Sequence, residues 1–114
     1  LGEKLSDDSI VNQWDGYTLS PNFSVNESLN ALKEHMRSSK SDLISAKTRM
    51  IIVPGYSFKV VDVLITNFHQ PRSTLLLLVA AFIGDDWKDL YQYALDNAYR
   101  FLSYGDSSIL FRKE

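Results

Sequence analysis

The chain has no cysteine among its 114 residues. Disulfides, thiolate metal sites and a cysteine nucleophile are therefore excluded. The absence fits a reducing compartment. Histidine is scarce as well. Only His35 and His69 occur, far apart in sequence, which argues against a metal site. Long apolar runs are missing. The longest, Leu75 to Ile83, has nine residues, whereas a membrane-spanning helix needs roughly 20, so this run reads as a buried helix. No targeting segment, internal repeat or low-complexity tract is visible. There is no G-x-G-x-x-G, P-loop, G-x-S-x-G or H-E-x-x-H motif, so the usual catalytic templates do not apply. The first residue is Leu1 rather than Met, which points to a piece of a longer protein.

What is present is ordinary for a globular protein: 45% hydrophobic and 23% charged residues. The length suits one domain, or part of one, and is enough for a sizeable core. The net charge of -2 is unevenly spread. Residues 1–32 hold five acids and one base, whereas residues 33–72 hold seven bases and three acids. A basic middle can meet an anion such as phosphate, or can be an ordinary solvated surface.

Local signals give an order of elements. Residues 1–23 are rich in turn formers and read as irregular, with Trp14, Tyr17 and Phe23 as apolar pins. Ser24 and Glu27 form an S-x-x-E capping box, and Val25, Leu29, Leu32 and Met36 follow at helical spacing. His35 falls off that stripe and reads as solvated. Residues 48–53 read as a strand stopped by Pro54-Gly55. Residues 58–66 read as a strand covered on both faces, in which Asp62 must lie at an edge or be paired. Ser73 or Thr74 caps a central helix that stops at Gly84. Asp85 or Asp86 caps another, with a stripe of Trp87, Leu90, Tyr91, Ala94, Leu95 and Ala98 at helical spacing. A turn at Gly105-Asp106 leads to a strand over 108–111. The pattern predicts an α/β chain, a mixed sheet with packed helices.

In α/β sheets, ligands gather at the carboxyl ends of strands. The densest polar cluster, Thr66, Asn67, His69, Gln70, Arg72, Ser73 and Thr74, lies at such an end and leads into a helix N-terminus that favours an anion. Arg72 offers a planar charge suited to carboxylate or phosphate. His69 is a candidate base near neutral pH. The competing reading is that Asn67 and His69 order the loop and Ser73 only caps. In "YRFLSYGD", Arg100 lies between Tyr99 and Phe101 and ahead of Tyr104 and Asp106. Aromatic and basic interleaving can hold a nucleobase. Alternatively, Tyr99 and Phe101 pack inward and Arg100 makes a surface pair.

The stretch "PGYSFKVVDVLITNFHQPRSTLLLLVAAFIG" followed by "YRFLSYGDSSILF" resembles the C-terminal part of the S-adenosylmethionine:tRNA ribosyltransferase-isomerase family of queuosine biosynthesis. The likeness covers residues 54–84 and 99–111. Departures from the family pattern fall at Gln70, Ala80, Leu102 and the pair Ser107-Ser108. The resemblance implies that residues 1–114 are a C-terminal fragment of a larger α/β domain. Within it, 1–45 would be a variable connecting segment and helix, and 46–114 the core motifs. The full-length protein would also carry a β-barrel domain.

The implied reaction moves and isomerises the ribosyl group of S-adenosylmethionine onto 7-aminomethyl-7-deazaguanine in tRNA, giving epoxyqueuosine and releasing adenine and methionine. No cofactor is implied, since S-adenosylmethionine is the ribosyl-donating substrate. The partners would be tRNA and S-adenosylmethionine, in the cytoplasm, with no membrane and with a monomer favoured. Carried onto this chain, His69 would be the base or the acid that protonates adenine. Thr66 and Asn67 would hold ribose hydroxyls. Arg72 with Ser73 and Thr74 would bind the methionine carboxylate or a phosphate. Arg100, Tyr104 and Asp106 would line the other wall. The isolated fragment is expected to be inactive. The alternative is a non-catalytic module that docks tRNA or completes the fold.

Overall fold

The computed structural model of the protein describes residues 10–19 and 23–113. The chain splits into two compact units, Leu1–Ile51 and Ile52–Glu114. The first holds β1 (Ile10–Val11), α1 (Asp15–Thr18), α2 (Val25–Ser38) and β2 (Lys47–Thr48). The second holds β3 (Val63–Asn67), α3 (Thr74–Ile83), α4 (Asp86–Asp96) and β4 (Ser107–Phe111). Helices with parallel and antiparallel strand pairs make this an α/β chain, as the pattern implies. The two strand orientations lie in separate two-stranded sheets, β1-β2 and β3-β4.

In the first unit, β1 and β2 run parallel, with Ile10 opposite Lys47 and Val11 opposite Thr48. Beyond them, Arg49 N–H donates to the Val11 carbonyl at 2.8 Å and Ile51 N–H to that of Gln13 at 3.1 Å. The expected strand over 48–53 is thus reduced to a short ladder. Its partner breaks off into α1, where Asp15 Oδ2 accepts from the Asn12 N–H at 2.8 Å. Residues 10–18 are correspondingly more regular than their turn-rich composition suggests. Trp14 and Tyr17 meet ring to ring at 5.7 Å but, like Phe23, stay exposed rather than pinned inward. The part of residues 1–23 that covers 1–9 and 20–22 lies outside the described residues.

α2 begins as expected. Glu27 N–H donates to Ser24 Oγ at 3.2 Å, and Ser24 N–H donates to Glu27 Oε2 at 2.7 Å. That backbone bond, followed by the Ser24 hydroxyl, holds the Glu27 carboxyl below its ordinary value. No α2 residue is fully buried. Leu29 is exposed, while Val25, Leu32 and Met36 are half-buried. His35 is also half-buried, so it is not the fully solvated residue its position off the stripe suggested.

The second unit opens with the turn at Pro54-Gly55. Tyr56 N–H reaches the Val53 carbonyl at 3.1 Å, and Gly55 has φ +98°, the positive value that a type II turn requires at its third residue. β3 then begins only at Val63, because antiparallel pairing with β4 sets its length: Val63 faces Phe111, Ile65 faces Ile109 and Asn67 faces Ser107. Period-two alternation turns Leu64 and Leu110 inward. It leaves Val63, Ile65, Ile109 and Phe111 outward, with Ile65 69% and Phe111 70% exposed. Among the described residues, the strand is therefore covered on one face, not both. Asp62, just before β3, is paired: its Oδ1 lies 2.9 Å from the Arg112 guanidinium.

α3 is capped by Ser73, whose Oγ accepts from Leu76 N–H at 3.3 Å. It stops at Gly84, φ +64°. It buries Val79, Phe82 and Ile83 but exposes Leu75 and Leu77, so it is covered along one side rather than all round. Neither Asp85 nor Asp86 caps α4. Asp85 has helical backbone angles and no side-chain cap bond. Its carboxylate lies 3.3 Å from Lys88, and that of Asp86 lies 2.9 Å from Lys113. α4 buries Tyr91 and Ala94 against Phe68, Val79, Phe82 and Leu110. Each such large side chain contributes about 1.5–3 kcal/mol on burial. The expected stripe does not continue to Leu95 or Ala98, which are exposed where the helix ends at Asp96. Among the described residues, no helix is long and apolar enough to cross a membrane.

α4 ends in a Schellman motif. Tyr99 N–H donates to the Ala94 carbonyl at 2.9 Å, and Ala98 N–H to that of Leu95 at 3.2 Å. The left-handed position of the motif is held by Ala98, φ +54°, where glycine is the usual residue. Ala98→Gly is expected to stabilise the protein by about 0.5–1 kcal/mol, the strain relieved outweighing the added freedom of the unfolded chain. A urea titration showing a lower midpoint for Ala98→Gly than for wild type would contradict this.

Candidate functional site

β3 ends at Asn67 and α3 starts after Ser73. Between them, Phe68 turns into the core while its backbone ties two loops together. Phe68 N–H donates to the Asp106 carbonyl at 3.1 Å, and Leu102 N–H donates to the Phe68 carbonyl at 2.8 Å. The polar residues on either side of Phe68 are thereby set against the 99–106 loop. His69 is half-buried, and its Nε2 lies 3.0 Å from Thr66 Oγ1, with donor and acceptor set by the tautomer. Nδ1 has no partner among the described residues. The His69 main chain is anchored separately, its N–H donating to the Tyr91 phenol oxygen at 3.2 Å.

Asn67 is committed within the fold. Its Nδ2 donates to the carbonyls of Leu102 and Ser103 at 3.2 and 3.4 Å, and its Oδ1 accepts from the Ser107 hydroxyl at 2.6 Å. The two backbone carbonyls, which can only accept, fix which end of the amide faces the loop. Asp106 closes that loop: its Oδ2 accepts from Arg100 N–H at 2.7 Å, and its Oδ1 lies 3.5 Å from the Arg100 guanidinium. Asp106 N–H also donates to the Arg100 carbonyl at 2.8 Å. The chain passes so close here that a Cβ on Gly105 would lie against the Arg100 carbonyl oxygen and 2.6 Å from the Phe101 carbonyl carbon. Only glycine fits without moving backbone.

The remaining candidates are more open. Arg72 is exposed with φ +67° in the Pro71-Arg72 turn, and it makes no ion pair among the described residues. Ser73 spends its hydroxyl on the cap of α3, and Thr74, the first helical residue, is exposed. Tyr99 and Phe101 lie against Phe68 with ring centroids 5.5 and 5.7 Å away; Phe101 packs on the core, whereas Tyr99 stays 38% exposed. Arg100 makes the surface pair with Asp106. Tyr104 is 95% exposed. The structure thus brings together Thr66 with His69, Asn67 with the 102–107 backbone, and Arg100 with Asp106. It leaves Arg72 and Tyr104 free-standing. No group of three or more His, Asp or Glu among the described residues is arranged to hold a metal.

A family model described as "Queuosine biosynthesis protein" matches residues 25–110. The chain belongs to that family. A curated relative, the S-adenosylmethionine:tRNA ribosyltransferase-isomerase of Polynucleobacter asymbioticus, is 52% identical over 76% of this chain and 24% of its own length. The protein of the same name from Chelativorans sp. is 55% identical over 61% of this chain and 20% of its own length. The crystal structure of S-adenosylmethionine tRNA ribosyltransferase from Thermotoga maritima is similar with a TM-score of 0.54 and 37% identity, covering 73% of this chain and 38% of that one. The chain therefore spans about a quarter of the length of the curated relatives it matches.

In this queuosine biosynthesis family member, two residues of the site are not evident from the sequence pattern. Tyr91 falls on an apolar stripe, although a buried tyrosine needs a partner for its phenol, which is the available signal. Ser107 stands out only as a departure from the family pattern.

The Arg100 backbone N–H, more than the Arg100 charge, holds the Asp106 carboxyl below the ordinary aspartate value of 3.8. A depressed folded value means the loop closure contributes stability above the unfolded value and loses it as pH falls through the lower folded one. An NMR acid titration is expected to show the Arg100 amide proton moving with a midpoint below 3.8. A midpoint at or above that value would mean the carboxylate does not close the loop in solution.

Proposed function

We propose that this chain supplies the His69 side of the site at which a longer enzyme of the family transfers and isomerises the ribosyl group of S-adenosylmethionine onto 7-aminomethyl-7-deazaguanine in tRNA. The products are epoxyqueuosine, adenine and methionine. The chain is read as a C-terminal portion of the α/β domain, inactive by itself. This accords with its quarter share of the relatives' length. S-adenosylmethionine serves as a substrate with no separate cofactor, and a tRNA substrate implies the cytoplasm.

The observation that carries this reading is the pairing of His69 Nε2 with Thr66 Oγ1 at 3.0 Å. It orients a half-buried imidazole and leaves Nδ1 to exchange a proton with substrate. Removal of the ribose C5′ proton, acidified by the sulfonium, or protonation of leaving adenine, needs such a group within hydrogen-bond reach. Thr66 then acts on the imidazole as well as on a ribose hydroxyl. Asn67, with its amide already committed, shapes the wall. Arg72, with Thr74 and the free N–H groups that open α3, takes the methionine carboxylate or a phosphate. Arg100 and Tyr104 offer charge and an exposed ring to the tRNA.

His69→Ala in the full-length protein is expected to lower the rate of adenine release by about 100-fold or more, the scale of general acid–base work, with tRNA affinity retained. Unchanged release would reduce His69 to a structural residue.

One feature favours the docking reading. Lys33, Arg37 and Lys40, which recur along one side of α2 and its end, line an open cleft of about 400 Å³ with Met36, Ser41 and Asp42. Cations so arrayed suit a phosphate backbone. If they contact tRNA, replacing all three by Gln is expected to weaken tRNA binding and to reduce the slope of log affinity against log salt by about 0.7–0.9 per lost phosphate contact. An unchanged slope would return this cleft to ordinary surface.

A further inference from the structure

We propose that Tyr91 is a positioning residue for His69, an assignment that rests on the catalytic reading given above. His69 occupies the first residue after the Phe68 bridge, where backbone pairing with the 99–106 loop has run out. Its N–H is met by the phenol oxygen of Tyr91, 22 residues further on, at 3.2 Å. The phenol cannot drift. Tyr91 is 7% exposed, and its ring is held by edge contacts to Phe68 at 5.4 Å, Trp87 at 6.1 Å and Phe101 at 6.1 Å. A rigid ring on a helix therefore fixes the height of the His69 backbone, and Thr66 fixes the swing of its imidazole. Two points of attachment are needed because the next residues lead into the Pro71-Arg72 turn, which donates no hydrogen bond from Pro71. Without the phenol, the His69 N–H has no other partner among the described residues. The imidazole would then sample positions that Thr66 alone does not exclude. A small misplacement of a proton-transferring group lowers the rate of the chemical step without changing substrate affinity.

The test is Tyr91→Phe in the full-length protein, which removes the hydroxyl and keeps the ring. Tyr93→Phe is the control: Tyr93 lies on the same helix but is exposed, and its phenol makes no hydrogen bond in the described residues. Adenine release and amide hydrogen exchange are measured for wild type, Tyr91→Phe, Tyr93→Phe and His69→Ala. For Tyr91→Phe, kcat is expected to fall by about 5- to 10-fold, the scale of one lost hydrogen bond, with KM for S-adenosylmethionine and tRNA within about twofold. Exchange is expected to speed up at the His69 amide while the rest of α4 stays protected. Tyr93→Phe should match wild type in both.

Retained kcat and retained His69 protection in Tyr91→Phe, with His69→Ala inactive, overturn the inference and leave the functional reading standing. Protection lost uniformly across α4 also overturns it, since Tyr91 would then be only a core residue. Full activity in His69→Ala overturns the functional reading and the positioning role together.

Discussion

Phe68 is where the core and the polar cluster meet, and most of the second unit hangs on it. Its side chain, 2% exposed, is surrounded by Tyr91, Tyr99 and Phe101. Its backbone donates to Asp106 and accepts from Leu102. One residue thus anchors β3, α4 and the 99–106 loop through two unlike forces, apolar burial and directed hydrogen bonds. Asn67 and His69 inherit their positions from it, because each is one covalent step away. A dry, densely packed interior on one side of a strand end is what allows polar groups on the other side to be held still.

The features legible from sequence were those whose cause is local. The Ser24–Glu27 box, the Pro54-Gly55 turn, the Ser73 cap and the Gly84 stop each involve residues within a few positions of one another, and each forms as the pattern says. Strand lengths were not legible, because they are set by partners far along the chain. β3 is shorter than its run of β-branched residues suggests since β4 offers only five residues to pair with it. Asp85 and Asp86 had the composition of caps, yet lysines nearby, one of them 27 residues away, claimed the carboxylates.

The site divides in the same way. That a polar cluster lay at a strand-to-helix junction was readable. The separation of its members into held and open groups was not. Asn67 finds its partners 35 to 40 residues away, and no spacing rule announces that. Backbone conformation was equally hidden. Arg72, Ala98 and Leu102 all take positive φ values that sequence reading assigns to glycine or asparagine. Two of these, Arg72 and Leu102, flank the cluster, one in the turn before α3 and one on the loop that bonds Phe68.

Such strain at a site has a definite physical meaning. A left-handed non-glycine residue costs of order 1–3 kcal/mol and persists only where its surroundings over-determine it. At Leu102 the over-determination is visible: its N–H is bonded to Phe68, its carbonyl to Asn67 and to Gly105 N–H. At Arg72 it is not hydrogen bonding but covalent geometry that constrains the chain, with Pro71 fixed on one side and the α3 cap on the other. Glycine would relieve the strain and would also remove the guanidinium. An exposed, unpaired arginine at that point therefore costs stability that no contact within the described residues returns. In the proposed function, a carboxylate or phosphate held by the guanidinium would supply an offsetting gain, whereas the same strain at Ala98 belongs to a helix end.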